Sequence, residues 1–151
     1  MSHYTANLRD IEFCLFDLLK REDILGKSLF KDIDRETAMG MLEEIKRLAE
    51  NDLGDSLIES DRLGVQFNKE TGDIKLPESF KKSYRTYMDN EWWRIDAPVE
   101  IGGTLIPASV RWAIAEMVLG SNPAIHIYAS GYAFAHVAYV LGTDVQKKMA
   151  K

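Results

Sequence analysis

Histidines are the side chains best suited to proton transfer or metal binding, and this chain of 151 residues has three of them. They are His3, His126 and His136. The spacing of His126 and His136 places them about 80° apart around a helix, so they do not share a ligand face. A zinc site needs ligands at i and i+4 with further partners, and no metal site is therefore predicted. Because Tyr132 lies one turn before His136, a buried hydrogen bond between them is the preferred interpretation.

The cysteine and the glycine pair do not form a recognisable catalytic or ligand-binding motif either. Cys14 is the one cysteine, which excludes an intramolecular disulfide and a site built from several thiolates. Its apolar neighbours predict a buried thiol on a helix face. The pair Gly102-Gly103 lacks the further glycines of a dinucleotide loop and the lysine of a Walker motif. No catalytic residue is therefore assigned within the chain.

One stretch of small side chains points to close packing or to a ligand. Ala129, Ser130, Gly131, Ala133 and Ala135 lie among the larger side chains of an apolar segment. Small residues on a buried helix either let a second helix approach closely or leave room for a bound molecule. The spacing alone favours close packing, and the ligand alternative stays open.

The charges divide the chain into two halves. Its formal net charge is −5, and no Asp, Glu, Lys or Arg occurs between Met117 and Thr143. An acidic protein is poorly suited to nonspecific binding of nucleic acid, which needs a basic patch. The uncharged segment contains polar groups that would be costly in lipid, and no signal peptide precedes it, so a cytoplasmic location is expected.

Hydrophobic periodicity predicts an all-α fold, an orthogonal bundle of about five to six helices. Turn residues within 65–76 indicate either a two-stranded hairpin packed on the helices or an extended loop. The segment 123–141 is apolar on nearly every face, which predicts a helix buried on all sides. A capping box from Thr143 to Gln146 begins the last helix. The other predicted helices span 8–19, 34–64, 77–88 and 107–119.

The halves meet in residues 91–107, here called the pivot loop. Pro98 keeps Ala97 out of the helical conformation, and Gly102-Gly103 supplies the backbone freedom for a tight turn. The loop therefore joins the charged helices to the apolar ones.

Several motifs in order carry a resemblance to a known family. They are Trp93, the run from Pro98 to Pro107, the acidic Glu116 in the next helix, and the corner from Gly142 to Lys148. On these residues the chain resembles the N-terminal helical domain of the acyl-CoA dehydrogenases. Two positions depart from the pattern, since the family commonly has a tyrosine at Ile101 and a glycine at Leu105.

The resemblance also implies a domain organisation. Residues 1–151 correspond to the family's N-terminal helical domain, and residues 1–30 are similar to an N-terminal extension in one bacterial subgroup. The flavin-binding β-domain and the C-terminal helical domain that carries the catalytic glutamate would lie beyond Lys151. We therefore expect a piece of an enzyme that is inactive alone and self-associates through surface that its missing neighbours would cover.

The function implied is the FAD-dependent oxidation of acyl-CoA thioesters to 2,3-enoyl-CoA in fatty-acid β-oxidation. Electrons would pass to an electron-transfer flavoprotein, and the parent enzyme would be a homo-oligomer. This chain would supply one wall of the acyl pocket, from Ile125, His126, Ala129, Ser130 and Ala133. The alternative is a non-enzymatic helical module that binds a partner protein through the 123–142 helix.

Overall fold

Helices account for most of residues 3–150, the part of the chain that the computed structural model describes. Met1, Ser2 and Lys151, the ends of the predicted domain, lie outside it. The α-helices are α1 (Leu8–Glu12), α2 (Arg35–Leu48), α3 (Leu57–Leu63), α4 (Glu78–Asp89), α5 (Ala108–Ser121), α6 (Pro123–Ala129), α7 (Gly131–Leu141) and α8 (Asp144–Met149). Because α2 with α3 and α6 with α7 are nearly continuous, the described part contains six helical segments. The all-α prediction is confirmed.

The first two segments begin and end near the predicted residues. α1 continues as a π-helical turn over Phe13–Leu18. Asp34 caps α2, because its Oδ1 accepts a hydrogen bond of 2.8 Å from the backbone N–H of Thr37. That bond lowers the pKa of Asp34. α3 ends at Gly64, the residue at which the sequence predicted a stop.

The long segment formed by α2 and α3 has an irregular middle that the sequence did not predict. A π-helical turn at Ala49–Leu53 and a 3-10 turn at Gly54–Ser56 separate the two helices. Side chains from other elements bind two of the carbonyls there. Ser83 Oγ donates to the Asp52 carbonyl at 2.5 Å, and Asn122 Nδ2 donates to the Leu53 carbonyl at 3.3 Å. The irregular turn is therefore held by tertiary hydrogen bonds.

The core lies where α2 packs against α5 and where α4 and α6 close around them. The Tyr87 ring is part of this core, and burial raises the pKa of its hydroxyl. The N-terminal segment packs on the same helices, and the backbone N–H of Ala6 donates to Glu50 Oε1 at 2.9 Å. Buried core residues are Leu42, Ile45 and Leu48 of α2, Phe80 and Tyr87 of α4, Val110, Ile114, Met117 and Val118 of α5, and Ile125 and Ala129 of α6.

The predicted hairpin is present, but its packing was predicted wrongly. β1 (Gln66–Phe67) pairs antiparallel with β2 (Ile74–Lys75), and Phe67 lies opposite Ile74. These two side chains are 61% and 66% exposed. Only Leu76, just after β2, packs against the core among the apolar residues of 65–76. Each strand contributes two residues, so the ribbon is too short to lie across a helix.

The prediction of one helix buried on all sides over 123–141 is wrong. The segment breaks at Ser130 into α6 and α7, and only α6 contributes buried residues. In α7, Phe134 is 72% exposed and Leu141 is 80% exposed. Apolar side chains favour burial, but a helix is buried only where another element of the fold packs against it. Within residues 3–150 nothing covers this face of α7.

Candidate functional site

The pivot loop folds back on itself between α4 and α5. It contains two 3-10 turns, Trp92–Ile95 and Val99–Ile101. Gly102 has φ of 92°, a left-handed conformation, and the N–H of Gly103 donates to the Pro98 carbonyl at 2.9 Å. The N–H of Thr104 then donates to the Arg94 carbonyl at 2.7 Å. The tight turn predicted for Gly102-Gly103 is confirmed.

The side chain of Arg94 ties the two ends of this turn together. Its Nη2 donates to Glu91 Oε1 at 2.6 Å, and its Nη1 donates to the Gly102 carbonyl at 3.2 Å. The guanidinium lies 5.4 Å from the centre of the Trp93 ring, within the range of a cation–π contact. These contacts hold Trp93 in a fixed position at the surface of the loop.

Trp93 connects the loop to α7. Its ring stacks on the Tyr132 ring with the centroids 4.7 Å apart and the planes inclined by 25°. An aromatic pair of this kind stabilises by about 0.5–1.5 kcal/mol beyond the area that it buries. Because α7 has no buried residue, this stack is one of the contacts that attach it to the rest of the fold.

Trp93→Ala is expected to loosen α7 while the rest of the fold remains intact. Losing the stack should raise amide hydrogen exchange over 131–141 by roughly two- to tenfold, the factor that corresponds to its stabilisation. Trp112→Ala is the matched control, since Trp112 is 55% exposed on α5. Equal protection of α7 in the wild type and Trp93→Ala would contradict this role for the stack.

A cleft of about 520 Å³, here called the loop–α7 cleft, lies between the pivot loop and α7. Arg111 and Asp96 lie in its wall, with Arg111 Nη1 donating to Asp96 Oδ1 at 2.7 Å. The Asp96 side chain is 11% exposed, so this ion pair is largely shielded from solvent. From α7 the cleft receives Ala133 and His136. The Asp96–Arg111 pair could not be predicted from the sequence, because no spacing rule links a loop residue to a helix residue.

Comparison with proteins of known function finds acyl-CoA dehydrogenases that are similar to this chain. The chain is 43% identical over 150 residues to a broad-specificity linear acyl-CoA dehydrogenase of Mycobacterium tuberculosis, an alignment that covers 99% of this chain. The chain is homologous to acyl-CoA dehydrogenases. A 3-methylmercaptopropionyl-CoA dehydrogenase of Ruegeria pomeroyi is 29% identical over 115 residues, or 76% of the chain. No protein-family model matches.

The chain spans 24% of the length of the mycobacterial acyl-CoA dehydrogenase and 19% of the length of the other relative. The similarity therefore concerns one part of these proteins, consistent with the resemblance to the N-terminal helical domain. Since the mycobacterial match extends over 150 residues, it includes most of the segment assigned to the N-terminal extension.

The residues expected to line the acyl pocket of an acyl-CoA dehydrogenase fall into two groups in the structure. Ile125 and Ala129 are 0% and 2% exposed and belong to the core. His126, Ser130 and Ala133 are partly exposed, and they recur at intervals of four and three residues along α6 and α7. They therefore share one side of the kinked helix. Of the five, Ala133 lines the loop–α7 cleft.

Ser130 lies at the kink between α6 and α7. Its hydroxyl donates to the Ile127 carbonyl at 2.6 Å, three residues earlier. This hydrogen bond competes with the regular helical pattern, a known cause of helix bending. Beyond this break, Tyr132 of α7 stacks on Trp93 of the pivot loop.

Two predictions about possible reactive side chains are wrong. Cys14 is exposed, because the π-helical turn at Phe13–Leu18 carries it away from the buried Leu15 and Phe16. His136 is exposed at the loop–α7 cleft, so it makes no buried hydrogen bond with Tyr132, which stacks on Trp93 instead.

Among residues 3–150, no group of three or more His, Cys, Asp or Glu side chains could hold a metal ion. Within the same range, no helix is both long and apolar enough to cross a membrane.

Proposed function

We propose that the chain is the N-terminal helical domain of an FAD-dependent acyl-CoA dehydrogenase. In this proposal α6 and α7 form one wall of the pocket for the acyl chain and cover part of the flavin. The observation that carries it is the 43% identity to an acyl-CoA dehydrogenase over nearly the whole chain. The catalytic base, most of the flavin site and the site for electron-transfer flavoprotein lie on other parts of the parent protein.

The side chains of α6 and α7 suit this role. One side of the kinked helix is partly exposed and carries His126, Ser130 and Ala133. The buried side packs in the core through Ile125 and Ala129. The small Ser130 and Ala133 leave space for a long acyl chain. The M. tuberculosis relative, by its name, acts broadly on linear acyl-CoAs, and we extend linear acyl-CoA substrates to the parent of this chain.

An apolar wall also fits the flavin. A bound FAD would supply the acceptor for the hydride that leaves the β-carbon of the acyl group. The exposed apolar side chains of α7, with no charged residue between Met117 and Thr143, match a flat ring system and exclude water from it. We assign no individual cofactor-binding residue.

The test uses the complete protein encoded by the gene, purified with FAD and assayed for dye reduction by acyl-CoAs. We expect acyl-CoA-dependent reduction by that protein and none by residues 1–151 with added FAD. Ser130→Phe should lower kcat/KM for palmitoyl-CoA by roughly tenfold or more while butyryl-CoA is little affected, because a long chain needs the space beside α6.

Ala135→Phe is the matched control for Ser130→Phe, since Ala135 lies two residues from Ala133 on α7 and therefore on the opposite side of the helix. Loss of turnover with both substrates, or an equal effect of the control, would contradict the proposed wall. A complete protein without flavin and without acyl-CoA-dependent turnover would contradict the proposed enzyme.

The exposed face of α7 favours a second candidate, a partner-binding helical module. Phe134, Val137, Val140 and Leu141 are each more than half exposed, and a continuous apolar surface of this kind marks an interaction site. In the enzyme, the part of this face that the flavin does not cover would be covered by other domains or by another subunit of a homo-oligomer. Absence of flavin from the complete protein would therefore favour the module.

A further inference from the structure

The helix α7 is attached to the rest of the fold by few specific contacts. It has no buried residue, and it packs mainly on α6 and α8, its neighbours in the chain. Among residues 3–150, no side chain of α7 takes part in a hydrogen bond or an ion pair. A helix held in this way moves easily relative to the core unless a contact from another part of the chain restrains it.

Tyr132 supplies such a contact. Its ring stacks on the Trp93 ring of the pivot loop with the centroids 4.7 Å apart, and Arg94 in turn holds Trp93 through its own hydrogen bonds and its cation–π contact. Tyr132 also lies close to α4, because the pKa of the Tyr84 hydroxyl on that helix is raised by burial and by the neighbouring Tyr132. Tyr132 therefore restrains α7 against two elements that precede it in the chain, the pivot loop and α4.

The restraint acts beside the loop–α7 cleft, whose volume is about 520 Å³. Ala133, the residue after Tyr132, lines the cleft from α7, and Pro98 and Leu105 line it from the pivot loop. Trp93 and Tyr132 are not among the lining residues. Because their stack joins the two elements that form the cleft, the width of the cleft depends on it.

The cleft suits the uncharged end of an acyl chain. Its volume lies within the range of about 300–1,000 Å³ that is usual for small-molecule sites, and most of its lining side chains are apolar. Arg111 is paired with Asp96, Glu100 adds a carboxylate, and no Lys or further Arg lines the cleft, so an anionic ligand is disfavoured. Ala133 lies on the same side of the kinked helix as Ser130, so a chain that follows this side reaches the cleft.

We propose that the stack of Trp93 on Tyr132 is a clamp that fixes the width of the loop–α7 cleft for the distal end of a long linear acyl chain. This role rests on the proposed dehydrogenase function and makes Trp93 and Tyr132 positioning residues, which act through α7 and do not touch the substrate. A short acyl chain ends before the cleft and does not depend on the clamp. Without the stack, the cleft has the required width for only a fraction of the time, and the apparent affinity for a long chain falls by that fraction.

The test compares palmitoyl-CoA with butyryl-CoA as substrates of the complete protein, purified with FAD. Trp93→Ala should raise KM for palmitoyl-CoA by roughly two- to tenfold, the factor that corresponds to a ring stack, and should leave kcat and the KM for butyryl-CoA within about twofold. Trp93→Phe keeps a ring at this position and should return the KM for palmitoyl-CoA to within about twofold of the wild type. Tyr132→Leu removes the stack from the α7 side and should reproduce the effect of Trp93→Ala.

Trp112→Ala is the matched control, because it removes an exposed tryptophan that does not line the cleft, and it should leave both KM values unchanged. The double variant of Trp93→Ala with Tyr132→Leu should be no worse than either single variant, and additive effects would mean that the two rings do not act as a clamp. Absence of turnover by the wild type would overturn the proposed function together with the clamp. Turnover with the wild-type chain-length preference in Trp93→Ala would overturn the clamp alone.

Discussion

Gly103→Ala is expected to destabilise the chain by more than about 4 kcal/mol, which places it among the most damaging single substitutions. A Cβ at Gly103 would overlap the carbonyl group of Ala97 and would lie 2.8 Å from the Pro98 carbonyl oxygen. All of these neighbours are backbone atoms, so no side chain can rotate away. The hydrogen bonds from Gly103 to Pro98 and from Thr104 to Arg94 would have to break. Urea unfolding followed by tryptophan fluorescence measures the loss.

Gly40→Ala and Gly102→Ala are the matched controls for this prediction. No atom lies within 4 Å of a Cβ at Gly40, a helix position, so alanine should raise stability there by about 0.5–1 kcal/mol. Gly102 has φ of 92°, and a Cβ there would meet only the Trp93 ring at 3.8 Å, an ordinary van der Waals contact. Alanine should therefore cost only about 1–2 kcal/mol, for its backbone conformation. A Gly103→Ala variant no less stable than Gly102→Ala would mean that the loop can move apart without loss.

The pivot loop contains a local turn that the sequence could predict and long-range contacts that it could not. The tight turn at Gly102-Gly103 follows from local chemistry, since two glycines after Pro98 favour a change of chain direction. The close approach of Gly103 to Ala97 depends on how the loop folds back, which involves residues far apart in the chain. The same holds for the stack of Trp93 on Tyr132, although the tryptophan itself was part of the recognised pattern.

Helices were predictable where the signal was local. The Asp34 cap, the stop at Gly64 and the capping box at Thr143 each arise from hydrogen bonds or backbone conformations within a few residues, and each is found in the structure. The site residues were harder to predict, because periodicity along 123–141 cannot reveal a kink. The helix is interrupted at Ser130, and this break separates the buried Ile125 and Ala129 from the exposed α7.

Burial was the least predictable property. The exposed α7 and the exposed hairpin side chains Phe67 and Ile74 are all apolar, and hydropathy alone placed both elements against a core. A side chain is buried only when another helix or strand covers it. The hydropathy pattern of one helix or strand does not show which other element, if any, packs against it. The acyl-CoA dehydrogenases that match this chain are about four times longer, which accounts for such a face on α7 if other parts of the parent pack there.

Asn122→Ala is expected to lower the free energy of unfolding by about 2–4 kcal/mol, the second large effect. Its amide fills a fully buried position and donates to the Leu53 carbonyl and Ser56 Oγ. Leu53 lies where the π-helical turn passes into the 3-10 turn, and its carbonyl accepts hydrogen bonds from two side chains, Asn122 Nδ2 at 3.3 Å and Ser56 Oγ at 3.2 Å. Removing Asn122 therefore weakens the junction of α2 and α3 as well as the start of α6.

Two measurements distinguish this role from simple loss of packing. Hydrogen exchange should accelerate over 49–57 as well as around position 122, and a double-mutant cycle of Asn122→Ala with Ser56→Ala should show a coupling of about 1 kcal/mol. Ser83→Ala is the control, because its hydroxyl binds the neighbouring Asp52 carbonyl from α4. It should cost about 1 kcal/mol and leave the coupling of Asn122 with Ser56 unchanged. Additive losses in the cycle would mean that the irregular turn holds its shape without the buried amide, and that the helix distortion is set by its own sequence.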